Sequence, residues 1–174
     1  FEYAVTGDEA AREEAVYFFE SLKWCEEITP IDGFPARSIW ANGETGHRTT
    51  GGSGGYAAEW NPTPDGKWAW KGDTSSDETD AHYYATAIFY ELAARGDEKE
   101  KALEHLTRLT NHIIDNGWVL RDLDGKPTVW GHWEPEYLQR PKGYYARGLN
   151  GLEILSYVKT AETLTKNSKF TEAY

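Results

Sequence analysis

The sequence has one cysteine and no methionine among its 174 residues. A single cysteine, Cys25, cannot form an intrachain disulfide or a zinc site built from several cysteines. It stands in an apolar context (Leu22, Trp24), which predicts a packing role. The absence of methionine, the start at Phe1 and the helix-like ending at Tyr174 predict that the chain is part of a longer one.

Positive charge and long apolar runs are also scarce. The chain has 18 Lys and Arg against 29 Asp and Glu, a net charge of −11. Nucleic acids and anionic lipid surfaces attract basic proteins, so this balance argues against both as main partners. No stretch approaches the roughly 20 apolar residues of a membrane span, and no signal peptide is recognisable at the start. We therefore expect neither nucleic acid nor membrane as a partner.

Carboxylates and one imidazole are concentrated in a single ten-residue stretch. Ser75 and Glu78 fit the S-x-x-E capping box, and an apolar stripe begins at Ala81, so a helix is predicted to start here. Acidic residues in a first helical turn also follow from capping and the helix dipole alone. Two interpretations of this stretch therefore remain open, a functional site and a simple helix cap. The stretch contains Asp73, Asp77, Glu78, Asp80 and His82.

Apolar periodicity predicts four main helices. They cover approximately residues 9–27, 76–94, 98–116 and 149–164, and the second and third form an αα-hairpin. The last one carries apolar residues on more than one side, which is typical of a buried helix. An Asp-Gly pair between alternating residues predicts a β-hairpin within 117–133.

Residues 29–70 are rich in glycine, proline and tryptophan. So long a connection is uncommon unless it is functional or contains short strands. The glycine run at 51–55 is not followed by Gly-Lys-Ser/Thr, which argues against a phosphate-binding loop. We expect a flexible lid or a cluster of turns at these glycines.

Five short strings follow one another between residues 70 and 165. They are Gly-Asp-Thr-Ser-Ser-Asp-Glu at 72–78, Asn-Gly-Trp at 116–118, Asp-Leu-Asp-Gly-Lys-Pro-Thr at 122–128, Trp-Gly at 130–131, and Gly-Leu-Asn with Leu-Glu-Ile-Leu at 148–155. As a set in this order, they resemble the six-hairpin, (α/α)6-toroid glycosidase-like proteins, most of them uncharacterised bacterial members.

The resemblance implies an all-α fold with long loops and a small β-hairpin. A complete toroid of this kind has twelve helices, so residues 1–174 are expected to form part of a single, incomplete toroid domain. The remainder of the same chain or a second subunit would complete it. In such toroids the loops at the starts of the inner helices build the carbohydrate site. The helix starts at 73–82 and 147–150 are therefore the two candidate positions.

Glycoside hydrolysis needs one carboxylic acid and one carboxylate base or nucleophile. Crowded carboxylates raise one another's pKa, which keeps an acid protonated. Asp77 or Glu78 is the first choice for one role. The other role falls to Asp73, Glu134 or Glu136, or to a carboxylate outside residues 1–174. The candidate catalytic residues are Asp73, Asp77, Glu78, His82 and Glu134.

Aromatic side chains provide flat faces on which sugar rings stack, although tryptophan also buries large area in any loop. The sequence has 8 Trp and 11 Tyr, many of them close to the two helix starts. The candidate substrate-binding residues are Trp60, Trp70, Trp130, Trp133, Tyr144, Arg147 and Asn150.

Two other functions stay open. A polysaccharide lyase would use a Tyr or His base and a cation or neutral acid. The residues that supply such groups are His82, His132, Tyr144, Tyr145 and Arg147. A non-catalytic carbohydrate-binding or structural module would need the aromatic residues alone. No cofactor is expected, and no metal site, since the five histidines form no H-E-x-x-H. A carbohydrate role slightly favours a periplasmic or extracellular location.

Overall fold

The structure is a computed structural model that describes residues 1–44 and 60–174. This part is mainly helical with two small antiparallel sheets, which agrees with the helical character of the predicted all-α fold. The glycine run at 51–55 lies outside the described residues. The helices are α1 (Glu2–Thr6), α2 (Glu9–Glu27), α3 (Ser76–Leu92), α4 (Asp97–Asp115), α5 (Pro135–Leu138), α6 (Arg147–Thr165) and α7 (Ser168–Ala173); the strands are β1 (Ser38–Ala41), β2 (Trp60–Pro62), β3 (Trp68–Lys71), β4 (Val119–Arg121) and β5 (Pro127–His132).

Local capping fixes where the long helices begin. The Asp8 carboxylate accepts a hydrogen bond from the Ala10 amide at 3.0 Å and starts α2. At α3, the Glu78 carboxylate accepts from the Ser75 amide at 2.8 Å, as the capping box predicts. The four predicted helices are therefore present, with bounds within about two residues of those expected.

Helices α3, α4 and α6 pack against one another and form the main core. The rings of Tyr83 and Tyr157 stack at 4.3 Å between α3 and α6. The Tyr83 hydroxyl also hydrogen-bonds Thr110 of α4 at 2.8 Å. Burial of each large apolar side chain in this core stabilises the fold by about 1.5–3 kcal/mol. The fully or nearly fully buried members include Phe34, Trp70, Leu106, Leu109, Ile113, Leu120, Val158 and Phe170.

A second, smaller cluster joins α2 to α3. Phe19 and Phe89 stack with ring centroids 4.6 Å apart, and Ala102 of α4 belongs to the same cluster. Since α2 packs on α3, and α3 on α4 and α6, helix α3 is held by three other helices.

The segment between α2 and α3 contains strands, as its length suggested. In the first sheet the order is β1-β3-β2, and both neighbours are antiparallel to β3. Trp70 on the central strand faces the core and packs edge-on against Phe34. This sheet was not predicted as such, because its strands are only three or four residues long.

The predicted hairpin is β4–β5. Its turn contains Asp124 and Gly125, and Gly125 has φ +72°, a conformation that glycine adopts without strain. The hairpin packs on α4 and α3.

Helix α6 departs from its prediction. Leu149, Leu152 and Leu155 are 63, 67 and 52% exposed, whereas Tyr157 and Val158 on the opposite side are buried. Within the described part of the chain, the prediction that α6 is buried on more than one side is therefore wrong. None of the helices there is long and apolar enough to cross a membrane.

Candidate functional site

The starts of α3 and α6 meet at a groove with a volume of about 440 Å³. We call it the α3–α6 groove. These are the two helix starts that the sequence singled out, and the fold brings them together. Its lining consists of Arg37, Ser75, Ser76, Asp77, Trp130, Tyr145, Ala146, Leu149 and Asn150.

Asp73 faces the β4–β5 hairpin. Its carboxylate accepts a hydrogen bond from the Val129 amide at 2.7 Å, and its own amide donates to Asp122 at 2.6 Å. Its φ of +53° lies in the left-handed region, which Asp tolerates better than most residues. Gly72 permits this contact, because a Cβ there would meet the Asp122 carboxylate at 2.2 Å. Asp73 therefore ties β3 to the hairpin and does not line the groove.

Glu78 positions the guanidinium of Arg37, which lines the groove. Its carboxylate accepts from the Arg37 guanidinium at 3.0 Å, in addition to the capping bond from the Ser75 amide. Arg37 also donates to the Asp73 carbonyl at 3.2 Å. The guanidinium is therefore held by two acceptors beside the start of α3.

Asp77 is the exposed member of the acidic stretch, whereas Asp73, Glu78 and Asp80 are half-buried. Its carboxylate lines the groove and hydrogen-bonds the Ser75 hydroxyl. Asp80 points the other way, where it accepts from the Tyr157 hydroxyl of α6 at 2.6 Å.

Glu153 of α6 is a buried carboxyl group that the sequence-based candidates missed. Only 5% of it is exposed, and its Oε2 accepts from the Trp133 indole N–H at 3.0 Å. Burial raises the pKa of Glu153; the Trp133 N–H and the Ser76 side chain offset part of this rise, and the nearby Asp80 and Asp77 add to it. One sequence signal was present, since Glu153 interrupts an apolar run.

His82 lies in the core. Its Nδ1 is 3.1 Å from His105 Nε2, and His105 Nδ1 is 3.3 Å from Glu26 Oε2. Burial and the neighbouring His105 lower the pKa of His82 to about 3. Glu26 also accepts from Arg108 at 2.6 Å. Burial opposes ionisation of Glu26, but the bonds from His105 and Arg108 dominate and lower its pKa to about 2.

The predicted sugar-stacking tryptophans fall in different environments. Trp70 and Trp133 are each only 2% exposed, so neither presents a face to solvent. Trp60 is half-buried on β2, opposite Lys71. Trp130 is 39% exposed and lines the groove together with Tyr145, which is 69% exposed.

The start of α6 carries two further predicted binding residues. The Arg147 guanidinium lies 3.9 Å from the centre of the Tyr144 ring, a cation–π contact on the exposed side. Asn150 is buried, and its amide donates to the His132 carbonyl at 2.8 Å. This bond fixes the start of α6 against the end of β5.

Glu134 pairs with His132. Its carboxylate lies 2.9 Å from His132 Nδ1, and the imidazole stacks on Tyr137 at 4.2 Å. Glu134 is not part of the groove lining.

Within residues 1–44 and 60–174, no three His, Cys, Asp or Glu side chains are grouped so that they could hold a metal ion. No protein-family model matches the chain, and neither the curated proteins nor the solved structures contain a match. What the groove does must therefore be inferred from its own geometry.

Proposed function

We propose that this chain is a carbohydrate-active protein that hydrolyses a glycosidic bond in the α3–α6 groove, on an incomplete six-hairpin toroid. One observation supports the proposal most. The groove places the exposed carboxylate of Asp77 beside the aromatic side chains of Trp130 and Tyr145, where two helix starts meet.

The groove has the size and lining that a short oligosaccharide needs. Its volume lies within the range of about 300–1,000 Å³ that is usual for small-molecule sites. Aromatic rings accept the apolar faces of sugar rings, while Arg37 and Ser76 offer hydrogen bonds to hydroxyl groups.

Asp77 is the group that would act on the sugar. It is the one carboxylate in the groove lining formed by the described residues, so it is suited to act as base or nucleophile. The acid that protonates the leaving oxygen would then come from the part that completes the toroid. Asp73, Glu78 and Asp80 are each engaged in bonds to other elements of the fold, whereas the bond of Asp77 is to Ser75, two residues earlier at the same helix start.

The charge of the groove favours a neutral sugar. Arg37 is paired with Glu78, so Asp77 leaves a local excess of negative charge. A polymer of uronic acids would meet repulsion here, and the net charge of −11 adds to it. Neutral oligosaccharides are therefore the first substrates to test.

Asp77→Asn is expected to lower the rate of glycan cleavage by about 100- to 10,000-fold, because it removes the acid–base or nucleophilic group. The rate is measured by product chromatography with cellohexaose, xylohexaose and mannohexaose. Asp124→Asn, on the exposed hairpin turn, is the matched control and should cleave like the wild type. Full activity of Asp77→Asn would contradict the assignment.

Non-catalytic carbohydrate binding is the second candidate, favoured by the structural engagement of Asp73, Glu78 and Asp80. Trp130→Ala is expected to weaken oligosaccharide binding about tenfold, which corresponds to about 1.4 kcal/mol. Calorimetric titration measures this loss. Binding without cleavage by the wild type would favour this candidate, and the absence of both would remove carbohydrate from consideration.

A further inference from the structure

The contact between α3 and α6 beneath the groove contains one carboxyl group with an unmet hydrogen bond. Glu153 is 5% exposed, and its Oε1 has no hydrogen-bond partner among the described residues. An ionised carboxylate accepts several hydrogen bonds, and burying one without them is costly. The protonated form loses less on burial, because it carries no charge.

The charged groups that act on Glu153 are both negative. Asp80 and Asp77 of α3 both raise its pKa, the Ser76 side chain of α3 offsets part of this rise, and no cation acts on it in the described part of the chain. On α6 itself, Tyr157 is the titratable neighbour, and its hydroxyl donates to Asp80 and to the Ser76 carbonyl. From the end of β5, Trp133 contributes only a neutral N–H donor.

We propose that the proton of Glu153 holds the starts of α3 and α6 together beneath the groove. Loss of this proton places a third negative charge beside Asp77 and Asp80, which repels α3 from α6 and deforms the groove. Glu153 is thus a positioning residue that sets the alkaline limit of the groove. The effect on sugar cleavage rests on the proposed function, whereas the protonation does not.

The direction of the pH effect follows from linkage. Since the pKa of Glu153 is raised above its ordinary value of 4.5, the folded state holds this proton more tightly than the unfolded state. The contribution of this proton to the stability of the fold is complete below pH 4.5 and is lost as the pH rises through the raised pKa.

Carboxyl-carbon NMR of the full chain, labelled at glutamate, tests the protonation directly. The Glu153 resonance is identified by its absence from the spectrum of Glu153→Gln. We expect its titration midpoint above 4.5, and we expect the Trp133 indole N–H resonance to shift with the same midpoint, because it donates to this carboxyl. A midpoint at or below 4.5 overturns the proposal, whatever the sugar assays show.

The coupling to the groove is tested by the pH profile of oligosaccharide binding and cleavage, with the three hexasaccharides named above. Glu153→Gln imitates the neutral carboxyl, so its profile should lack the alkaline loss that the wild type shows. Glu162→Gln, on the same helix and paired with Lys159, should keep that loss. An unchanged alkaline loss in Glu153→Gln refutes the positioning role. If no variant binds a sugar, the proposed function fails, while the NMR titration still decides the protonation.

Discussion

Glu26→Ala is expected to lower the free energy of unfolding by about 3–5 kcal/mol, the usual cost of removing one partner from a buried ion pair. Glu26 is 4% exposed and accepts hydrogen bonds from Arg108 at 2.6 Å and from the Gly33 amide at 3.1 Å. His105 lies against the same carboxylate. Removal of Glu26 would take this acceptor from the Gly33 amide and from His105, and would leave Arg108 with only its longer ion pair to Asp32.

Urea denaturation followed by circular dichroism measures this loss. Glu27→Ala provides the matched control, since Glu27 is the next residue and forms only an exposed pair with Lys23. Such a pair contributes about 0–1 kcal/mol. Equal losses in the two variants would show that the buried network does not stabilise the fold.

Acid is expected to destabilise the protein from pH 6.5 downward, because His82 must stay neutral in the core. Its folded pKa of about 3 lies below the ordinary 6.5, so its contribution is complete above 6.5 and is lost as the pH falls toward 3. Between pH 7 and 4.5 this amounts to about 3 kcal/mol. Burial also lowers the pKa of His112, which acts in the same direction. The contribution of Glu26 to stability is lost at lower pH, between 4.5 and about 2.

Denaturation curves at several pH values test this prediction. His82→Gln should flatten most of the slope between pH 7 and 4.5 and leave the smaller share from His112. The same slope in the wild type and in His82→Gln would contradict a neutral, buried His82.

Local chemistry made the helices and the hairpin predictable. The cap at Asp8, the Ser75–Glu78 box and the Asp-Gly turn at 124–125 act over a few residues, and the structure contains all three. The pairing of Glu26 with His105 joins positions 79 residues apart, and no local pattern encodes it. Periodicity also showed that α6 is apolar on two sides. It could not show which of these sides the rest of the protein covers, and Leu152 is exposed.

The candidate site was predictable in its location and less so in its members. Both helix starts were singled out, because each follows an aromatic stretch and one carries a cluster of acids. Asp73 was a candidate because it belongs to the acidic stretch, yet its positive φ turns it toward the hairpin before the helix begins. Arg37 was missed because its partner Glu78 lies 41 residues later.

The groove is built from four separated parts of the chain, at residues 37, 75–77, 130 and 145–150. The unfolded chain does not contain this site, so a molecule that binds there binds only the folded state. Binding and folding are therefore thermodynamically linked. At a concentration one hundred times its dissociation constant, such a molecule stabilises the fold by about 2.7 kcal/mol. For a chain of this length, that raises the melting temperature by about 5–10 °C. Unlabelled sugars can therefore be ranked by melting temperature alone, before any cleavage product is known.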